Sequence, residues 1–245
     1  MQTRGKDGEI SVNTASDKYM FKPLSPWSKG KQPLPERLYG KIKDDNPDES
    51  WDVWISMEEM GPIYKAKEMD WLSLKDSRDR TQQYLKEASE LINGLEGGWL
   101  DGEERLMLFK ELGEPPKPCL PLYIITCGKG KEEKVVYAGI TKNSSRFKGG
   151  HLASLKLHHP KYEGKLKRVY RCSIWFHFNG EYIFLDWIQP DSVAVELLDS
   201  IESQFIYHFQ PELNTRKKKK NYTKWEFSIH IQNFLKEAFL NDTFI

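Results

Sequence analysis

The chain has 245 residues, of which 38% are apolar, 30% charged and 13% aromatic, which is too rich in rings to be disordered and long enough for one large domain or two modest ones. No stretch approaches the ~20 apolar residues of a membrane helix, the opening Met1-Gln-Thr-Arg-Gly-Lys lacks the apolar core of a signal peptide, and three cysteines (Cys119, Cys127, Cys172) without a CxxC pair argue against a disulfide framework or a cysteine zinc site. A reduced, cytoplasmic protein with no membrane partner is expected.

Residues 1 to 30, rich in Ser, Lys, Gly and Asn, read as a flexible arm. The segment 31–116 reads as a mainly helical accessory domain for target recognition or oligomerisation. Tyr84, Ala88, Leu91 and Ile92 recur at helical spacing from about Ser77 to Asn93, and Asp101 caps a second helix that Gly113 stops. Four prolines between Gly113 and Pro121 forbid helix and mark a domain boundary.

Beyond them, Leu122–Thr126 and Val135–Ile140 form a hairpin, and Ser144 or Ser145 caps a following helix. Asn179-Gly180 joins two aromatic and β-branched runs as a second hairpin. Gln189 to Ser192 opens a helix with Ala194, Leu197, Leu198, Ile201, Phe205 and Phe209 on its buried stripe, ended by Pro211. After the basic run Arg216 to Lys220, Thr223 and Glu226 suggest a capping box and a C-terminal helix, although Trp225, Phe227, Ile229 and Ile231 alternate like a strand.

The net charge of +1 conceals an uneven distribution: residues 117–177 carry 13 Lys/Arg against 3 Asp/Glu, whereas 1–116 carry 17 against 23. Such a basic quarter suits an anionic partner, nucleic acid being the commonest large one, or is simply a solvated face.

The order hairpin, helix, strands, helix with a carboxylate beside its apolar stripe, then Pro-Glu-Leu-Asn resembles the GIY-YIG nuclease family over about residues 118–216. Pro121-Leu122-Tyr123 stands at the family's first motif and Tyr137-Ala138-Gly139 at its second. Arg146 matches the helix arginine, Glu202 the metal-binding glutamate and Asn214 the asparagine. Pro121 and Ala138 depart from the pattern. His151 matches a histidine that the family places at i+4 from the arginine; here it stands at i+5, ~100° further round a regular helix. The resemblance implies an α/β (α+β) fold, a small mixed or antiparallel sheet flanked by helices at 117–216, with a basic segment and C-terminal helix at 217–245.

It also implies a Mg²⁺-dependent endonuclease, with Mn²⁺ as a substitute, that cuts double-stranded DNA in a restriction or mobile-element system. In it Glu202 holds the ion, Arg146 clamps the phosphate, and Tyr123 or Tyr137 handles the water's proton. Phosphodiester hydrolysis needs an activated water, a cation and stabilised phosphate oxygens, and these residue types supply them. Lys148, Lys156, Lys165, Lys167, Arg168, Arg216, Lys217 and Lys218 are the expected DNA contacts. Two other readings remain open: a GIY-YIG fold whose site has lapsed and which binds DNA or a protein, and a protein-interaction domain without nucleic acid.

Overall fold

The computed structural model describes residues 13–14, 24–34, 40–41, 51–92, 94, 98–141, 147, 151–178, 181–221, 223, 225, 227–235 and 238–245. In chain order the elements are β1 (Asn13–Thr14), α1 (Ser25–Ser28), β2 (Gly40–Lys41), β3 (Trp51–Pro62), α2 (Leu74–Leu91), α3 (Gly102–Leu112), β4 (Leu122–Cys127), β5 (Lys134–Ile140), α4 (Leu152–Lys156), β6 (Lys167–Phe178), β7 (Glu181–Phe184), β8 (Ile188–Gln189), α5 (Asp191–Phe209), β9 (Phe227–Asn233) and β10 (Thr243–Phe244). They build a mixed α/β fold around one sheet of order β10-β9-β3-β6-β4-β5, with β1 added to β3 and β7 to β6. The β3–β9 pair is parallel and the other pairs of this sheet are antiparallel.

Side-chain alternation divides the sheet's two faces. Val53, Ile55 and Met57 of β3, Cys172, Ile174 and Phe176 of β6, and Leu122 and Ile124 of β4 point to one face and are buried under Leu197, Leu198, Ile201 and Phe205 of α5. The other face of β4 carries Tyr123 and Ile125, packed with Trp71, Phe147 and Tyr162. Beside β7, a third cluster joins Trp27, Tyr84, Ala88, Leu108, Phe184 and Trp187 from α1, α2, α3 and the turn before β8.

The helices start and stop where local chemistry directs. Ser73 caps α2 in a reciprocal box with Asp76, Asp101 does so for α3 with Glu104, and Gly113 closes α3 at φ 75°. α5 ends at Gln210 in the left-handed conformation, one residue before Pro211.

Two expectations about organisation are corrected. The segment 31–116 does not form a separate helical domain, because its longest strand, β3, pairs on both sides with strands from beyond the boundary placed at 116/117, β9 and β6. Its helix α2 is tied to the later segment as well: Ser77 Oγ donates to Asp186 Oδ2 (2.5 Å), and the buried Arg78 donates to the Asp186 carbonyl (2.9 Å) and pairs with Asp191. The C-terminal helix expected after Thr223 is the strand β9. Phe227, Ile229 and Ile231 alternate into the core, and a parallel partner, β3, was there to receive them.

One buried acid sets a pH dependence. The β3–β6 register shifts between Met57 and Glu59, and the extra residue Glu58 is buried, accepting a hydrogen bond from Ser173 Oγ. Burial pushes the Glu58 carboxyl up to about 7. A folded-state value above the unfolded one means stability is fully present below about pH 4.5 and is lost as pH rises through about 7, by about 3 kcal/mol. Urea melts across this window are expected to show that decline in the wild type and a markedly smaller one in Glu58→Gln. Parallel profiles would remove Glu58 as its source.

Candidate functional site

The β4–β5 register brings the two expected tyrosines together. Tyr123 lies opposite Gly139 and Ile125 opposite Tyr137, so both phenols project from the same face. Their rings stack at 6.1 Å between centroids. Gly139 is required by space here, since a Cβ on it would lie 2.5 Å from Tyr123 Oη and 2.9 Å from Tyr137 Cε1. What approaches the glycine is the Tyr123 phenol.

His151 joins this pair directly. Its Nε2 lies 2.9 Å from Tyr123 Oη, and its ring meets Tyr137 edge-on at 5.1 Å. Its Nδ1 accepts the Ala153 N–H at 3.2 Å as the N-cap of α4. A neutral imidazole that accepts at Nδ1 carries its proton on Nε2, so Nε2–H donates to the Tyr123 oxygen. A donor aimed at a phenol oxygen stabilises negative charge on it. The angular objection to His151 therefore falls: its backbone is extended (φ −124°, ψ 128°) and precedes α4, so helical spacing from Arg146 does not set its direction.

Trp71 and Phe147 close the cluster, stacked on one another at 4.4 Å, and both meet the Tyr123 ring edge-on. Tyr123 is fully buried and His151 nearly so, whereas Tyr137 is half-buried. Trp71, which the sequence reading passed over, is held by Nε1 donating to the Ala66 carbonyl (2.6 Å) and by the Arg171 guanidinium over its ring at 4.6 Å.

Asn214 has a structural task. Its side-chain amide accepts the Ala138 N–H and donates to the Ala138 carbonyl, both at 2.9 Å, while Leu213 N donates to the Val136 carbonyl at 2.9 Å. The segment after α5 thus covers the outer edge of β5, the terminal strand of the sheet, and satisfies backbone groups beside Tyr137.

Glu202 belongs to a different group, on α5, whose apolar stripe packs on the face opposite the tyrosines. Its Oε2 lies 2.7 Å from Lys217 Nζ, which also reaches Asp199 Oδ1 at 2.8 Å and the Asp199 carbonyl at 3.0 Å. Burial lowers the Lys217 pKa, but the hydrogen bonds to Asp199 and Glu202 more than offset it and the net direction is upward. Among the described residues no group of three or more His, Cys, Asp and Glu could hold a metal. The described residues therefore offer no all-protein cage there. The carboxylate oxygens of Asp199 and Glu202 are instead taken by the Lys217 ammonium.

The expected DNA contacts divide. Arg146 and Lys148 lie outside the described residues. Lys156, Lys165 and Arg216 are exposed, and Lys167 and Lys218 are half-exposed. Lys217 is spent on Asp199 and Glu202. Arg168 is corrected: it pairs with Glu133, the two side chains being 5% and 0% exposed, so it faces no solvent. Thr126 Oγ1 (2.6 Å) and Tyr170 Oη (3.1 Å) also donate to Glu133. On β6, Lys167 and Arg168 are neighbours in sequence and face opposite sides of the sheet. No helix among the described residues is long and apolar enough to cross a membrane. No protein-family model, curated protein or solved structure matches the chain.

Proposed function

We propose that the chain is a metal-dependent DNA endonuclease of the GIY-YIG type, acting in a restriction or mobile-element system. The observation that carries this reading is the Tyr123–His151 hydrogen bond beside Tyr137, over a glycine on which a Cβ would crowd both rings. In this reading Tyr123 acts as its phenolate, whose charge the imidazole N–H supports; it takes the proton of the attacking water, giving hydroxide and the neutral phenol, and Tyr137, the more exposed ring, positions the phosphate. Arg146 clamps that phosphate. Bound Mg²⁺ would supply charge neutralisation at the phosphate oxygens; Glu202, the residue the family resemblance gives for it, stands on α5 across the sheet from the tyrosines and would hold the ion only on exchanging Lys217.

The test is cleavage of plasmid DNA with Mg²⁺ by the wild type and by Glu202→Ala. Nicking or linearisation by the wild type and a loss of at least about a hundredfold in the variant is expected; equal cleavage by both sinks the mechanism. Two observations favour a second reading, a lapsed site that only binds DNA: Glu202 is on the helix packed against the sheet face opposite the tyrosines, and Lys217 already neutralises it at 2.7 Å. Binding of DNA with no cleavage under any divalent cation would select it.

A further inference from the structure

Beside the Tyr123 cluster is a cavity of about 490 Å³ lined by Leu155, Lys156, His159, Lys161, Tyr162 and Leu213. Its position follows from the elements already described. Leu155 is on α4, the helix capped by His151, and Leu213 precedes Asn214 and packs with the cluster that holds Tyr123 and Tyr137. Its walls are chemically mixed. Leu155 is 65% exposed and Leu152, one turn before it on the same side of the helix, is 76% exposed. His159 presents an exposed ring held by its Nδ1 accepting the Lys161 N–H.

The rim is cationic. Lys156 makes no ion pair among the described residues, and Lys161 pairs with Glu212 at 2.8 Å with its ammonium over the Tyr162 ring. A second, larger cavity of about 1000 Å³ continues from this one, sharing Lys161 and Tyr162. Along it stand Lys131, Lys134 and Lys165, all exposed and without an ion pair among the described residues; of the acids on its wall, Glu133 is spent on Arg168 and Glu212 on Lys161, which leaves Glu132 against these three lysines.

An apolar wall with a ring, bordered by lysines and continued by more lysines, matches one repeating chemistry: a planar base followed by phosphates. A base paired inside a duplex offers no free face to such a wall, whereas an unpaired base does. The ~490 Å³ volume lies in the range of small-ligand sites and suits a single nucleotide.

Building on the nuclease reading, we propose that this cavity takes the base of one unpaired nucleotide next to the scissile phosphate, and that the adjoining lysine-lined groove carries the strand away from it. The substrate class is then DNA with an unpaired or extruded nucleotide, and Leu155 is a specificity residue of the site. Base stacking on such surfaces is sequence-tolerant, so structure rather than sequence is selected.

The experiment measures binding in EDTA, where no cleavage occurs, by fluorescence anisotropy with a fully paired duplex and the same duplex carrying one unpaired 2-aminopurine. The wild type is expected to bind the second at least about tenfold more tightly, with a change in 2-aminopurine emission as the base enters the cavity. Leu155→Glu, at an exposed position with little folding cost, is expected to abolish the preference and leave thermal unfolding unchanged, while its added negative charge weakens both DNAs by about as much as the loss of one lysine. Lys156→Gln, which keeps the wall, is expected to weaken both DNAs alike. Equal affinity of the wild type for the two DNAs, or an undiminished preference in Leu155→Glu, overturns the inference and leaves the nuclease reading standing. Binding to neither DNA removes both. Preference for the unpaired nucleotide in a protein that never cleaves keeps the cavity and removes the nuclease.

Discussion

Tyr123→Phe is expected to lower the single-turnover rate of plasmid cleavage by roughly a hundredfold to ten-thousandfold, the range supplied by one positioned acid–base group. The substitution deletes one oxygen and keeps the ring that Trp71, Phe147 and Tyr137 pack against. Packing is thus preserved, and loss of the hydrogen bond to His151 costs about 1 kcal/mol. His151→Ala removes the donor to the Tyr123 oxygen and the N-cap of α4 together, so it is expected to cost both rate and stability. The comparison separates the roles: a merely structural tyrosine would show the two effects reversed, a modest rate change and a clear drop in melting temperature. A Tyr123→Phe enzyme that cuts at the wild-type rate would exclude the phenol from proton transfer.

Arg168→Ala is expected to destabilise the protein by about 3–5 kcal/mol, the usual cost of leaving one member of a buried ion pair alone. Glu133 would keep the Thr126 and Tyr170 hydroxyls but lose the Arg168 guanidinium, inside a site that excludes water. Urea unfolding measures this directly. The same residue gives a second contrast, because a phosphate contact and a core pair respond differently to salt. The slope of log affinity against log salt is expected to stay at the wild-type value in Arg168→Ala, assayed well below its melting temperature, and to fall by roughly one in Lys156→Ala. A stable Arg168→Ala protein with a reduced salt slope would return Arg168 to the DNA surface.

The placement of the tyrosines was legible because it depends on local rules. A hairpin with Tyr123 and Tyr137 on antiparallel strands puts alternate residues on shared faces, and the small Gly139 is where a ring crosses a neighbouring strand. The caps at Asp101 and Gly113 and the apolar stripe of α5 follow from the same short-range chemistry. Two strands were also written in the pattern: Val53, Ile55 and Met57 of β3 and Phe227, Ile229 and Ile231 of β9 alternate at period two. In β9 a plausible capping box outweighed that alternation, since a strand is stable only once its partner is known and a helix can be argued from its own residues. The Thr223 hydroxyl instead accepts from the Trp225 N–H and closes a local turn.

Which charged groups meet solvent was decided by the tertiary structure alone. Lys167 and Arg168 read alike as neighbours in a basic stretch, but Glu133, 35 residues earlier, buries one of them. Glu202 kept its expected position beside the α5 stripe, and only folding revealed Lys217 on its carboxylate. His151 looked misplaced by helical spacing until its extended backbone set it against Tyr123. Residue type and short-range spacing carry helix ends, strand faces and the kinds of chemistry present. Partnership and desolvation are properties of groups far apart in sequence, and the energy that makes a carboxylate a metal ligand or half of a salt bridge comes from them.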